Sequence, residues 1–227
     1  MNVPANSQRE NSNTNIVYDR SSKDELKRLQ IEDQLVTEGM GGALAEQPDP
    51  EIFRRVLDIG CGTGYWLIET ARAYPQISHL VGIDISGRMI DFACAQAQAQ
   101  LVSDRIEFRV MDALRPFELP TASFDLVNLR LGASYLRIWD WANLLMEAQR
   151  VSRPGGVTRI TEAEVYMMES EDTIKEVEES NKTNSSALRR LHALLLQASL
   201  QAGHTFPSEN NEGPNRVVRL LNRYGFK

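Results

Sequence analysis

Residues 56–64 read VLDIGCGTG, a short apolar run followed by the alternating glycines Gly60, Gly62 and Gly64. The apolar run is typical of a buried parallel strand. Glycine is needed where the chain turns tightly, or where the backbone approaches a ligand with no Cβ between them. A glycine-rich turn between a strand and a helix binds nucleotides in open α/β sheets. The stretch therefore predicts a nucleotide-binding turn.

Asp58 indicates which kind of nucleotide the turn binds. The phosphates of a dinucleotide or triphosphate would lie at this turn and at the N-terminus of the next helix, where the carboxylate two residues before Gly60 would repel them. The same carboxylate favours a ligand that carries positive charge, such as an ammonium and a sulfonium. The dinucleotide pattern G-x-G-x-x-G also fails because residue 65 is tyrosine, and the Gly-Lys-Ser/Thr of a P-loop is missing.

Further segments follow in the alternating order of a parallel α/β sheet. Asp84 lies near the end of the second predicted strand, about 20 residues after Gly64, the distance at which a carboxylate can accept hydrogen bonds from both ribose hydroxyls. A helix is predicted at 139–151, before the turn Arg153-Pro154-Gly155-Gly156. Strands are predicted at 56–59, 81–85, 106–110, 124–128 and 157–161.

These motifs resemble those of the class I S-adenosylmethionine-dependent methyltransferases, especially the bacterial enzymes that act on small molecules. The resemblance implies an α/β, doubly wound, mainly parallel Rossmann-like sheet with helices on both faces. It also implies S-adenosylmethionine as the cofactor and S-adenosylhomocysteine as its product. The candidate cofactor-binding residues are Tyr18, Asp58, Gly60, Cys61, Gly62, Gly64, Asp84, Ile85, Met89, Met111, Asp112, Ala113 and Arg130.

The resemblance also implies roles for some of these residues. Asp112 occupies the position of an acidic residue that lies near the adenine amino group in the family. Ile85 and Met89 are expected to sandwich the adenine ring, with pure core packing as the alternative. Arg130 is placed to meet the substrate or the cofactor carboxylate, and a surface salt bridge is the other interpretation.

A helix is predicted between residues 22 and 39. Ser22 and Glu25 have the spacing of a capping box, and the helix ends in the glycine cluster 39–42. With Tyr18-Asp19 before it, this segment resembles the helical lid of small-molecule methyltransferases. The resemblance implies closure over the cofactor, with Tyr18 on the methionine carboxylate. The alternative is a helix that packs on the core and leaves Tyr18 at the surface.

Three regions are expected along the chain. Residues 1–50 form a mobile N-terminus and the lid, residues 51–165 the cofactor-binding core, and residues 166–227 a helical section that covers the substrate pocket. Family members continue with a strand pair that completes a seven-stranded sheet, whereas this chain stops at Lys227. The strand pair is therefore expected to be missing, through truncation or because a partner chain supplies it, and strand five is expected to be an open edge.

The function implied is methyl transfer to an O, N or C atom of a small organic molecule, in natural-product metabolism among other settings. His204, in a loop after a predicted helix, is the candidate general base, which is needed only if the acceptor loses its proton early. No catalytic metal is predicted, since neither a His/Cys cluster nor an Asp-Asn pair after strand four is present. The alternative is a module that binds S-adenosylmethionine without catalysis, as a regulatory partner or an inactive truncated fragment.

Composition excludes several other classes of protein. The net charge of −6 and the acidic segment 162–179 disfavour a nucleic-acid partner. No apolar run is long enough for a membrane span, and the polar N-terminus has no signal-peptide core. Cys61 and Cys94 indicate no disulfide framework, so a reducing cytoplasm is expected. A homodimer would form through the N-terminal helix or the open sheet edge.

Overall fold

The computed structural model describes residues 23–162 and 221–226. Two short 3-10 helices lie at Pro50–Ile52 and Gly132–Ser134. The strands are β1 (Arg55–Ile59), β2 (His79–Asp84), β3 (Ile106–Val110), β4 (Phe124–Arg130) and β5 (Ser152–Thr161). The α-helices are α1 (Lys23–Gly39), α2 (Tyr65–Ala73), α3 (Gly87–Ala99) and α4 (Asp140–Val151).

The five strands form one parallel sheet in the order β3-β2-β1-β4-β5. The chain builds outward from β1 to β3, then crosses to β4 and builds outward on the other side. Ligands of such sheets bind at the carboxyl ends of the strands where the order reverses, here between β1 and β4. The predicted doubly wound fold is confirmed.

Alternating side chains of the strands feed two apolar cores. Val56, Leu80 and Leu126 lie on the face that packs against α2 and α3, together with Leu67 and Ala97. Leu57, Val81 and Val127, one residue further along each strand, lie on the opposite face against Leu144 and Ala148 of α4. Helices therefore cover both faces of the sheet, as predicted.

The sequence misplaced some element ends. Ile85 lies beyond β2, not within it. The Arg153–Gly156 segment, predicted as a turn before strand five, lies within β5, because Ser152 already pairs with Phe124. A register shift between Phe124 and Leu126 and a φ of +77° at Gly155 accommodate the extra residues as an irregularity in the strand.

Parts of the sequence interpretation lie outside the described residues. Ser22, Tyr18 and His204 belong to these, as does the helical section 166–227 except for 221–226. The expected loss of a strand pair and the three-part division of the chain stay predictions. None of the described helices is both long enough and apolar enough to cross a membrane.

Gly82 in β2 provides a test of the packing between the sheet and α2. A Cβ at this position would lie 2.7 Å from the Phe108 ring and 2.8 Å from a Leu67 methyl. We expect Gly82→Ala to lower the free energy of unfolding by about 1–3 kcal/mol through overpacking, measured by urea denaturation. Gly87→Ala is the control, since its Cβ would meet its nearest neighbour at 3.8 Å. Equal stability of both variants would contradict the packing described.

Candidate functional site

A cleft of about 290 Å³ opens at the carboxyl ends of the central strands, beneath α1. The lid helix contributes Arg28, Leu29 and Asp33 to its wall, and the segment after β4 contributes Tyr135. The structure thus gathers most of the predicted site around one cavity. The predicted cofactor-binding residues that line it are Asp58, Gly60, Cys61, Gly62, Asp84, Ile85, Met89, Met111, Asp112, Ala113 and Arg130.

The glycine turn presents backbone to this cleft. Cys61 N donates to Ile83 O over 2.9 Å, which fixes the turn against β2. A Cβ at Gly62 would meet no atom within 4 Å, so a ligand can approach the chain there. Gly64 lies behind the turn, where a Cβ would lie 2.8 Å from the Phe108 ring, so this glycine permits close helix–sheet packing rather than lining the cleft.

Asp84 is held rigidly at the end of β2. Its Oδ1 accepts a 2.8 Å hydrogen bond from Ser86 N, and its Oδ2 accepts a 3.1 Å bond from Gly62 N. Ser86 in turn caps α3 by accepting from Met89 N. One carboxylate therefore connects the glycine turn, the end of β2 and the start of α3, as a residue that orients a ribose would have to.

The residues assigned to the adenine site surround the next part of the cleft. Ile85 is 46% exposed, so it is not a core residue, whereas Met89 is 3% exposed and packs in the interior. Asp112 Oδ1 accepts a 2.9 Å bond from Leu114 N, which orients the carboxylate. Their contacts with adenine stay predictions.

Asp58 is buried and hydrogen-bonded to a side chain that the motifs did not point out. Asn128 Nδ2 donates to Asp58 Oδ1 over 2.7 Å, and Asn128 Oδ1 accepts from Arg159 over 2.8 Å. Asp58, Asn128 and Arg159 are register partners on adjacent strands. The sequence shows Arg159 as a lone charged residue within a strand that should be buried. Which residue it contacts depends on the order of the strands in the sheet.

Burial raises the pKa of Asp58 to about 7 from the usual 3.8, and the neighbouring Asp84 carboxylate adds to the rise. The hydrogen bond from Asn128 and the charge of Arg159 oppose it without cancelling it. A positively charged ligand group in the cleft would favour the ionised form. The electrostatics of the turn thus agree with a cationic ligand.

Arg130 forms a buried link to the lid. Its guanidinium donates to Asp33 and, over 2.9 Å, to Thr37 Oγ1, both on α1. The salt bridge considered from the sequence is therefore present but largely buried, since the Arg130 side chain is only 10% exposed, while a contact with the cofactor stays a prediction. Burial, and then the positive charge of Arg159, lower the pKa of Arg130 to about 9, so the group still carries its charge at neutral pH.

Two buried hydroxyls in the cleft were missed from the sequence. Thr63 Oγ1 and Tyr135 Oη have no hydrogen-bond partner within the described part of the chain. Thr63 was treated only as a spacer in the glycine motif, and Tyr135 belongs to no recognised pattern. Unpaired buried polar atoms are rare in folded proteins, so both atoms point to a ligand.

The described residues fit S-adenosylmethionine. Gly62 leaves room beside the backbone, Asp58 supplies negative charge for the cationic arm, Asp84 lies where a ribose would bind, and Thr63 has an unpaired hydroxyl. Within residues 23–162 and 221–226, no group of three or more His, Cys, Asp or Glu side chains is placed to hold a metal ion.

Comparisons with known proteins agree with this geometry. Residues 56–156 match the family model described as a methyltransferase domain. This region is similar to the methyltransferase domains of class I, S-adenosylmethionine-dependent enzymes. S-adenosylmethionine is the cofactor of the family.

Relatives share different lengths of the chain. The demethylmenaquinone methyltransferase of Deinococcus radiodurans is 40% identical over 114 residues, which is 50% of this chain and 43% of that protein. The O-methyltransferase rstn1 of Aspergillus nomiae is 24% identical over 86% of this chain and 73% of its own length. The chain thus spans less than half the length of the bacterial relatives it matches.

A solved structure supports the fold. The O-methyltransferase family protein from Burkholderia thailandensis superposes with a TM-score of 0.52 at 21% identity, over 60% of this chain and 40% of its own. At this level of identity the match shows the fold of the core and nothing about the substrate.

We expect Arg130→Met to loosen the lid helix. The substitution leaves the largely buried Asp33 carboxylate without its guanidinium, so the free energy of unfolding should fall by about 3 kcal/mol, and protease cleavage within 23–39 should accelerate. Arg72→Met is the control, because the Arg72–Glu69 pair is exposed and should contribute less than about 1 kcal/mol. Equal proteolysis of the two variants would show that Arg130 does not fasten α1.

Proposed function

We propose that this protein transfers a methyl group from S-adenosylmethionine to an O, N or C atom of a small organic molecule. The observation that carries the proposal is the convergence of Asp58, the glycine turn and Asp84 on one cleft within a methyltransferase domain. The named methyltransferases among its relatives support the reaction class.

The residues of the cleft would position the reactants more than they would supply chemistry. S-adenosylmethionine supplies the activation itself, since its sulfonium makes the methyl group electrophilic. Asp58 and Asp84 would bind the cationic arm and the ribose, and the turn at Gly62 would let the ligand lie close to the backbone. Rate then depends on holding the methyl donor and the acceptor in line and away from water.

The lid helix would form one wall of the acceptor site. Glu25, Leu29 and Glu32 of α1 line the same cleft as the glycine turn, so closure of α1 would exclude water from the transfer. His204 as general base and Tyr18 as a ligand of the methionine carboxylate stay predictions. So do a cytoplasmic location, the absence of a nucleic-acid partner and a homodimer through α1 or the sheet edge.

We expect Asp84→Asn to weaken S-adenosylhomocysteine binding by about 1–3 kcal/mol, because an amide cannot accept hydrogen bonds with both of its terminal atoms. Calorimetric titration would measure this, with NAD as the negative ligand and Asp91→Asn, an exposed aspartate of α3, as the matched control. In a turnover screen with small phenols, amines and carboxylic acids as acceptors, Asp84→Asn should form S-adenosylhomocysteine more slowly than the unmodified protein. Tight NAD binding would contradict the proposal, and cofactor binding without turnover on any acceptor would favour a non-catalytic module.

Cofactor binding should strengthen as pH rises. If the cationic arm binds the ionised form of Asp58, whose pKa is about 7 without ligand, affinity for S-adenosylhomocysteine should increase about tenfold between about pH 6 and about pH 8. Asp58→Asn should abolish this dependence. Calorimetry across the pH range checks it, and a flat profile for the unmodified protein would contradict the role of Asp58.

Stability of the ligand-free protein should follow the opposite trend. Between about pH 4 and about pH 7, Asp58 keeps its proton in the folded state and has lost it in the unfolded state. The free energy of unfolding contributed by Asp58 therefore decreases as pH rises through that interval. The comparison of unmodified protein with Asp58→Asn isolates this contribution from those of other carboxyl groups.

A further inference from the structure

The segment after β4 brings one aromatic side chain into the cleft. Leu131 adopts φ +52°, and the 3-10 helix Gly132–Ser134 follows it. Tyr135 N then donates to Gly132 O over 3.0 Å. The turn places the Tyr135 ring on the core of the α4 face and its hydroxyl beside the glycine turn, where a Cβ at Gly60 would lie 2.5 Å from Oη.

The Tyr135 hydroxyl has no hydrogen-bond partner within residues 23–162 and 221–226, although the atom is buried. Leaving a buried hydroxyl unpaired costs free energy, so such atoms are usually bonded to protein or solvent. The hydroxyl is next to Gly60 and on the wall of the cofactor cleft. These observations point to a partner that arrives with the ligand.

The electrostatic surroundings limit what that partner is. The charges that act on the hydroxyl come from the carboxylates of Asp84, Asp58 and Glu162. Burial, and then these carboxylates, raise the pKa of Tyr135 well above its usual range, so the phenol stays neutral and keeps a lone pair for a donor. The negative potential of these groups disfavours a ligand carboxylate at this point and favours a cation.

We propose that Tyr135 binds the amino-acid arm of the cofactor, its hydroxyl oxygen accepting a hydrogen bond from the α-ammonium group beside Gly60 and Asp58. This inference rests on the proposed function, since it concerns the same cofactor. It assigns to the 3-10 turn after β4 a binding role that neither the glycine motif nor Asp84 supplies.

The test is calorimetric titration of two ligands into the unmodified protein and Tyr135→Phe. S-adenosylhomocysteine carries the α-ammonium, whereas methylthioadenosine retains the adenosine and the sulfur but lacks the amino-acid arm. We expect Tyr135→Phe to raise the dissociation constant of S-adenosylhomocysteine about tenfold, as for a hydrogen bond to a charged group, and to leave that of methylthioadenosine unchanged.

Two controls separate binding from structure. Because the hydroxyl is unpaired without ligand, Tyr135→Phe should leave the Tm of the free protein unchanged or raise it. Tyr74→Phe, at the end of α2 and away from the cleft, should alter neither ligand's affinity.

Several results would overturn the assignment. Unchanged affinity for S-adenosylhomocysteine would show that the cofactor does not use the hydroxyl, and equal weakening of both ligands would move the contact to the adenosine part. A lowered Tm of the free variant would indicate a structural role. If the unmodified protein binds neither ligand, the proposed function itself fails and the assignment of Tyr135 fails with it.

Discussion

The hydrogen-bonded row Asp58–Asn128–Arg159 is the constraint on which both the sheet and the site depend. It crosses β1, β4 and β5 at one register position, and all three side chains are buried. A slip of any strand by one residue would turn its polar group to the other face and leave its neighbour unpaired, at a cost of about 1–3 kcal/mol or more. Correct strand pairing and correct placement of Asp58 therefore follow from the same contacts.

The row also contacts the segment that follows α1. Arg159 also donates to Glu46 and lies 3.5 Å from the sulfur of Met40, in the segment that follows α1. Its guanidinium and that of Arg130 each lie 5.6 Å from the Trp66 ring, and Trp66 donates to Ala43 O over 2.8 Å. Cation–π contacts and ion pairs thus connect α1 and the segment that follows it to β4 and β5. The position of α1 over the cleft is coupled to the arrangement around Asp58.

The sequence was sufficient where chemistry is encoded in local spacing. The glycine turn and Asp84 are joined by a short chain distance, and parallel strands bring their ends together, so Gly60, Gly62 and Asp84 line one cleft. Asn128 and Arg159 were not assigned, because their contact depends on which strands are neighbours and in what register. The placement of Tyr135 in the cleft was not predicted, since it depends on the positive φ of Leu131, which no side-chain pattern predicts. The predicted start of β5 was wrong, because Arg153-Pro154-Gly155-Gly156 forms an irregularity within the strand and not a turn before it.

Asn128 explains how the buried Asp58 carboxylate can be hydrogen-bonded without being neutralised. If Arg159 contacted Asp58 directly, the pair would be neutral and a positive ligand would gain little. The intervening amide satisfies Asp58 with a 2.7 Å hydrogen bond and keeps the guanidinium one residue away. Asp58 is thus hydrogen-bonded but only partly neutralised, which is why burial still raises its pKa to about 7. A positive group in the cleft would supply the missing charge, so a single asparagine preserves the electrostatic preference that the sulfonium and ammonium of the cofactor would satisfy.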